Sequence, residues 1–398
     1  MSRLARWSKY PTSLAVAALL VATLCGCATA PESRVESLFR DDLFAAASER
    51  IDAGDVFALS GEMTDYLHAR LVNPSRSKNR QLALIDALYS KDHLKLNYDA
   101  TLTRNAAQTF SARAGNCLSL VLMTAAFAKA IDVPVRYQMV LGDAVWSRSG
   151  GMYFSISHVN LALGPEPNAT FLNNQSAALT VDFLPGEDLR GQRIRVVGEP
   201  TIVAMYMNNR AAEALAAGRV DDAYWWARAA IGQDPRFLSA YNTLGVVYRH
   251  HGNIKDAEKV LARVLQLEPA NLQAMSNQVL VLNDEGRRAE AESLTAKLEQ
   301  LQPYPPFYYF DLGVAAIHKG DYMQARLMFE KEVERDAYYH EFRAWLAAAY
   351  LGLGEPEKAR VQLALALDNS ATPSDHDLYA AKLDLIKSRR SAHPSAAN

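Results

Sequence analysis

The sequence contains little cysteine and little net charge, and each shortage excludes a class of protein. Three cysteines among 398 residues are too few for a disulfide framework. The 42 basic and 44 acidic side chains nearly balance, so the chain lacks the positive charge that neutralises phosphates, and we predict no nucleic-acid partner. Apolar residues make up 49% of the chain, which excludes disorder as its main state. The length predicts two or three domains.

The apolar run near the N-terminus is short. It covers residues 14–24, whereas a helix that spans a bilayer needs roughly 20 apolar residues. Arg3, Arg6 and Lys9 precede the run. Basic residues followed by a short apolar run are typical of a secretory signal that is removed from the mature protein.

The end of this run, Leu-Cys-Gly-Cys at residues 24–27, resembles a bacterial lipobox. The resemblance implies that residues 1–26 form a lipoprotein signal peptide, that Cys27 carries lipid with acyl chains such as palmitate, and that residues 27–34 are a linker. Ala28 resembles the residue found in lipoproteins sorted to an outer membrane. We therefore predict a cell-envelope protein that is attached to the membrane, its partner, through the lipid on Cys27. The alternative is an ordinary secretory signal cut near residues 28–30.

The C-terminal half contains a repeat of 34 residues. Three residue types recur with this period: Gly218, Gly252, Gly286, Gly320 and Gly354; Ala223, Ala257, Ala291, Ala325 and Ala359; Pro235, Pro269 and Pro303. In each unit we expect a first helix to end at the left-handed glycine and a second helix to pack through the alanine. The proline should stop the second helix. Gly245 and Gly313 stand where two helices need a small residue for close approach.

This pattern resembles the tetratricopeptide repeat (TPR) and covers residues 204–373 as five units. The resemblance implies an all-α solenoid, followed over residues 374–398 by a polar capping helix and a tail. The first helices of such arrays form a concave surface that binds a peptide or protein. We place five candidate partner-binding residues on it: Asn208, Asn242, Arg249, Phe307 and Phe310. The alternative is a solvated face in an array that acts as a scaffold.

Between the leader and the repeats, the pattern of residues 35–200 predicts an α+β domain. Residues 35–44 and 55–71 have helical patterning, and a basic linker follows at residues 73–80. An apolar helix then runs from about Cys117 to Ile131. Strands are predicted over Val135–Leu141, residues 152–163 and residues 178–184, and the glycine pair at residues 150–151 predicts a turn.

Cys117 is the candidate nucleophile. It stands at the predicted start of a helix, where unpaired N–H groups and the helix dipole favour a thiolate. We interpret the preceding Gly115 as a flexible residue. A thiol nucleophile needs a base, and the base needs a carboxylate to orient it. His158 in the second predicted strand and Asp182 in the third supply both, with Asp188 as the alternative acid.

The order Cys117, His158, Asp182 resembles the transglutaminase-like superfamily, a papain-like cysteine-enzyme fold. The similarity covers residues 98–185 and implies that these residues are nucleophile, base and orienting acid. The sequence departs from the family at three points, with Asp132 in place of glycine, Val159 and Asn160 after the histidine, and Phe183 after the acid. Oxyanion donors would be the Cys117 backbone N–H, helped by the side chain of Gln108 or Asn116.

We therefore predict a papain/transglutaminase-like α+β domain followed by an all-α TPR solenoid. The function would be thiol acyl transfer by an outer-membrane-anchored enzyme, acting as a protease, a cell-wall amidase or a cross-linking enzyme. The solenoid would hold a peptide or protein. The alternative is a non-catalytic envelope scaffold whose thiol is structural. The sequence has no P-loop, Gly-x-Ser-x-Gly or His-Glu-x-x-His motif, so we predict neither a metal nor another cofactor.

Overall fold

The computed structural model describes residues 35–72, 80–89, 94, 96–141, 145–149, 152–156, 158–164, 178–183, 193–370 and 372–392. Of these, the residues up to Leu43 and the residues from Phe44 onward belong to two separate compact units. Cys27 and the leader, Asp188 and the glycine pair at residues 150–151 lie outside the described residues. Among the described helices, none is long and apolar enough to cross a membrane.

The unit that begins at Phe44 has an α+β part and a helical part. The helices of the α+β part are α1 (Gly61–Leu67), α2 (Arg80–Tyr89), α3 (Ala106–Ala112) and α4 (Cys117–Ala130). Its strands are β1 (Asn97–Tyr98), β2 (Ala114–Gly115), β3 (Val135–Leu141), β4 (Val145–Ser149), β5 (Met152–Ile156), β6 (Val159–Leu163), β7 (Leu179–Val181) and β8 (Arg193–Val197).

The main sheet has four antiparallel strands in the order β7-β6-β3-β8. Helix α4 packs on β6 and β3, and every residue of α4 from Cys117 to Ala128 is buried. A helix that is apolar on all sides belongs in the centre of a domain. The positive φ of Asp132, 55°, explains why glycine would also suit the turn that leads from α4 to β3.

The predicted strand at Val135–Leu141 is confirmed as β3, but two other strands need correction. The run predicted at residues 152–163 is two strands, because β5 pairs with β4 in a hairpin while β6 pairs with β3 and β7. His158 therefore stands just before a strand rather than in the middle of one. The third predicted strand ends at Val181, and Asp182 follows it.

The helical prediction for the N-terminal segments was partly wrong. Residues 35–43 contain one helical turn at residues 35–36 and the 3-10 turn Asp41–Leu43 instead of a continuous helix. In the second segment, α1 continues into the π-helical turn His68–Val72. Apolar spacing over so few residues does not distinguish a helix from a buried loop.

The helical part is five helix pairs and a final helix. The pairs are α5 (Glu199–Ala216) with α6 (Val220–Gln233), α7 (Leu238–His251) with α8 (Ile254–Leu267), α9 (Leu272–Asp284) with α10 (Arg288–Leu301), α11 (Tyr308–His318) with α12 (Tyr322–Arg335), and α13 (His340–Gly352) with α14 (Pro356–Asp368). The predicted capping helix is α15 (Pro373–Ala392).

Each repeated residue type has the role expected of it. The five repeat glycines have φ between 74° and 88°, the left-handed conformation that ends a helix. The five repeat alanines are at most 2% exposed. Each repeat proline follows the C-cap residue of α6, α8 or α10. The repeat geometry predicted from the spacing is therefore confirmed.

Close packing of paired helices explains the two glycines inside first helices. A Cβ added at Gly245 would lie 2.8 Å from Leu261 Cγ, and one added at Gly313 would lie 2.6 Å from Phe329 Cε1. Both distances are shorter than van der Waals contact, so the helices of these pairs touch where a side chain would separate them.

We expect the substitution Gly313→Ala to lower the free energy of unfolding by about 1–3 kcal/mol, because the new methyl group overpacks the contact with Phe329. The urea midpoint followed by circular dichroism measures it. Gly232→Ala on α6 is the matched control, since its Cβ would meet nothing within 4 Å and alanine favours the helix by up to about 1 kcal/mol. Equal midpoints for the two variants would contradict the close-packing explanation.

Candidate active site

The candidate nucleophile is the first residue of α4. Asn116 caps this helix, and its side-chain oxygen accepts a hydrogen bond from the Ser119 backbone N–H at 2.9 Å. A Cβ on Gly115 would lie 2.6 Å from Ser119 Cβ, so this glycine permits close approach rather than flexibility, contrary to the sequence interpretation. The Cys117 thiol is free and 5% exposed.

The candidate base and acid are in direct contact. His158 Nε2 lies 2.6 Å from Asp182 Oδ2, and both side chains are largely buried. The same carboxylate oxygen accepts a hydrogen bond from Asn160 Nδ2 at 2.9 Å. Strands β6 and β7 pair Leu161 with Val181, so the next opposed residues are Asn160 and Asp182. The antiparallel register therefore aligns the acid with both of its partners.

Sequence reasoning missed Asn160, although a signal was present. His158 and Asn160 are two residues apart, and alternate residues of an extended segment point to the same side. Asn160 is 1% exposed, so it supports Asp182 from within the protein.

The His158 ring also adjoins Cys117. Nδ1 is buried and makes no hydrogen bond of normal geometry within the described residues, but Cys117 is close enough to act on the ring. Burial alone would lower the pKa of His158. The hydrogen bond to Asp182 and the neighbouring Cys117 outweigh burial and raise this pKa to about 10. The ring can therefore hold a proton beside the sulfur.

Tyr98 is a further residue of the site that sequence reasoning missed. Strand β1 runs parallel to β2 and pairs Tyr98 with Gly115, two residues before Cys117. The phenolic oxygen contacts the Cys117 backbone N–H. Burial of the hydroxyl and the nearby Cys117 raise the pKa of Tyr98, so it stays a neutral hydrogen-bond donor. No local pattern could reveal this pairing, because the two strands are only two residues long.

A buried threonine links the site helix to the first helix of the array. Thr103 Oγ1 accepts hydrogen bonds from Asn116 Nδ2 at 2.9 Å and from Asn209 Nδ2 on α5 at 3.2 Å. The Thr103 backbone N–H donates to Glu213 Oε1, also on α5, at 2.6 Å. The Asn116 side chain is thus engaged in capping α4, and the Gln108 side chain in a capping box with Asn105.

Three of the five predicted partner-binding residues are wrongly assigned. Phe307 and Phe310 are each 1% exposed, because they pack on other rings, among them Phe342 at centroid distances of 5.4 and 5.5 Å. Asn242 is 2% exposed and accepts a hydrogen bond from Asn277. Arg249 is paired with Asp284 at 2.6 Å and remains partly exposed. Asn208 is also partly exposed.

A comparison with protein families identifies one of the helix pairs as a known repeat. Residues 238–271, which include α7 and α8, match the family model of the tetratricopeptide repeat. No curated protein matches the chain. The C-terminal part is therefore a mostly helical TPR-like solenoid, and such repeats suggest a protein-interaction or scaffold role.

Solved TPR structures are similar to part of the chain. A thermophilic TPR protein from Thermus thermophilus is 20% identical over 46% of this chain and 99% of its own, with a TM-score of 0.29. MamA is 19% identical over 40% of this chain and 93% of its own, with a TM-score of 0.23. A tetratricopeptide repeat protein from Parabacteroides merdae is 16% identical over 49% of this chain and 76% of its own, with a TM-score of 0.25.

We expect His158 to be a charged imidazolium at about pH 8, well above the usual histidine range. NMR of ¹⁵N-labelled histidine, with the signal assigned through His158→Gln, should show titration near pH 10, and Asp182→Asn should lower this pKa. The charged form stabilises the fold, so its contribution is complete below the ordinary pKa of 6.5 and is lost as pH rises through about 10. His250 is the reference, because burial and Arg249 lower its pKa. A neutral His158 at about pH 8 would contradict the assignment.

Proposed function

We propose that this chain is a thiol acyl-transfer enzyme of the transglutaminase-like kind. The observation that carries the proposal is the contact of His158 Nε2 with Asp182 at 2.6 Å, beside a cysteine at the N-terminus of a buried helix. A nucleophile, a base and an orienting acid are the parts that covalent acyl transfer requires.

The first half of the reaction makes a thioester. The Cys117 thiolate attacks an amide carbonyl carbon, forming a C–S bond while the carbonyl electron pair moves to oxygen. The negative oxygen would be stabilised by the Tyr98 hydroxyl, whose oxygen is itself contacted by the Cys117 backbone N–H. When this oxygen re-forms the carbonyl, the C–N bond breaks and the amine leaves with the proton held by His158.

The second half releases the acyl group. His158 removes a proton from water or from a second amine, whose oxygen or nitrogen attacks the thioester carbonyl. The C–S bond breaks and the thiolate returns. Water gives hydrolysis and an amine gives cross-linking, so the same three residues serve both outcomes.

The helix pairs would bring a peptide or protein partner to this site. The support is structural continuity, since α5 bonds directly to Thr103 beside the cap of α4. Residues 44–49 add contacts with the first pairs, including a stacked Phe44–Tyr224 pair at 3.9 Å and two bonds of 2.7 Å from Ser48 to Asp222. A partner held by the array would therefore be held relative to the thiol.

The proposal includes export and anchoring. The basic residues, the short apolar run and the lipobox-like residues 24–27 support a lipoprotein attached through Cys27 to the outer membrane. Radioactive palmitate incorporated by the wild-type chain and lost in Cys27→Ser would support the lipid anchor.

A non-catalytic scaffold is the second candidate, and one observation favours it. The thiol is only 5% exposed, as expected for a small core residue in an apolar helix. The two functions differ in the reactivity of the folded protein.

We expect iodoacetamide to alkylate Cys117 rapidly near neutral pH and His158→Ala to slow this at least about tenfold, because the variant lacks the base that generates the thiolate. Mass spectrometry of the tryptic peptide at residues 114–129 measures the reaction at this cysteine in the whole chain. Unfolding would expose the thiol and speed alkylation, so a slower reaction cannot result from a damaged fold.

The matched control is His340→Ala. His340 is also a largely buried histidine and is bonded to Tyr379 at 2.7 Å, but it belongs to the fifth helix pair. Its removal should leave the alkylation rate unchanged. A thiol that reacts only in denaturant would exclude catalysis and favour the scaffold.

A further inference from the structure

A cavity of 520 Å³ adjoins the candidate active site. Its volume lies within the range of small-ligand pockets, about 300–1,000 Å³. Tyr98 and Asp182 line one part of it, and these residues contact the Cys117 backbone and the His158 ring respectively. Cys117 and His158 are not themselves among the described lining residues, so the cavity meets the candidate site through Tyr98 and Asp182.

Most of the described lining is apolar. Ile85 from α2, Leu120 from α4 and Leu179 from β7 supply aliphatic groups from three different elements. Leu120 is one helical turn after Cys117 on α4. Burial of apolar surface is the main favourable contribution that such a lining offers a ligand.

The aromatic side chains that line the cavity carry no charge. Tyr89 and Phe183 contact each other with ring centroids 5.6 Å apart. The Tyr89 hydroxyl is hydrogen-bonded to Thr124 Oγ1 at 2.9 Å, and burial raises the pKa of Tyr89. This hydroxyl is thus satisfied within the protein, and the ring presents carbon atoms to the cavity.

The charged end of the cavity discriminates between ligands. Asp182 is the one carboxylate among the described lining residues, none of which is Lys, Arg or His. Its Oδ2 already accepts from His158 and Asn160. A charged side chain, acidic or basic, would lose its hydration among aliphatic groups without gaining an oppositely charged partner that is not already engaged.

We propose that this cavity binds an aromatic or large aliphatic side chain on the acyl donor, next to the carbonyl that Cys117 attacks. The inference rests on the proposed acyl transfer and names its substrate class: peptides with an apolar residue on the acyl side of the bond. The polar end of the cavity receives the peptide carbonyl, and the apolar end receives the side chain.

Peptidyl chloromethyl ketones test this assignment, because the thiolate displaces chloride and forms a permanent C–S bond to a carbon next to the carbonyl. Acetyl-Gly, acetyl-Phe, acetyl-Leu and acetyl-Lys chloromethyl ketones are compared on the full chain by the rate of adduct formation on the peptide at residues 114–129. Iodoacetamide, which has no side chain, reports the reactivity of the thiol itself.

We expect the Phe and Leu reagents to label Cys117 at least about tenfold faster than the Gly reagent, and the Lys reagent to gain nothing over Gly. Leu179→Trp fills the cavity and should bring the Phe-to-Gly rate ratio close to one, each rate being divided by the iodoacetamide rate of the same variant. Ile194→Trp is the matched control, because Ile194 is 48% exposed on the opposite edge strand of the same sheet; it should keep the full preference.

The two hypotheses fail differently. Equal Phe and Gly rates, or a Lys reagent faster than Phe, on a thiol that reacts normally with iodoacetamide would overturn the cavity assignment and leave the acyl-transfer proposal intact. A preference that survives Leu179→Trp unchanged would also overturn the cavity assignment. A folded protein that reacts with none of the reagents would overturn the acyl-transfer proposal and the cavity's role with it.

Discussion

Helix α4 is buried on every side from Cys117 to Ala128, and the site depends on this constraint. A helix without a solvent face cannot rotate or slide without disturbing close packing, so its first residue has a fixed position. The Asn116 cap and the contact of Gly115 with Ser119 fix the approach of the chain to that residue. The protein thereby holds a thiol at a helix N-terminus, at the positive end of the helix dipole.

The array is joined to this arrangement at its first helix. Thr103 bonds at once to the cap of α4 and to Asn209 and Glu213 on α5. Glu49 adds a second attachment through Arg210 and Trp226, at 2.9 and 2.8 Å. These bonds are partly buried, which makes the loss of one partner costly. The first helix pair therefore serves both as a repeat and as part of the support for the site.

The sequence was most informative where a local rule is strict. The glycine, alanine and proline positions predicted five helix pairs because each residue type has one conformational or steric role per unit. Local sequence patterns also predicted the start of α4 and the strand β3. The concave surface was predicted less well, because register alone does not tell whether Phe307 and Phe310 face a partner or the next helix pair, and the packing of aromatic rings decides this.

The site was predictable in its parts but not in its support. The order of Cys117, His158 and Asp182 predicted the contact between base and acid, whereas Asn160 and Tyr98 enter through strand pairings. Tyr98 meets Gly115 across a bridge between strands of two residues each. Such a pairing is set by tertiary packing rather than by β propensity, so no pattern in the sequence identifies Tyr98, whereas the two-residue spacing from His158 was a signal for Asn160.

The proposed proton transfer would account for the buried contact between His158 and Asp182 better than stability does. Removing two charges from water costs several kcal/mol per ion, and a buried ion pair is often no more stabilising than apolar residues of similar size. The structure nevertheless places this pair beside Cys117, the single free thiol of the described chain, as the proposed proton transfer would require.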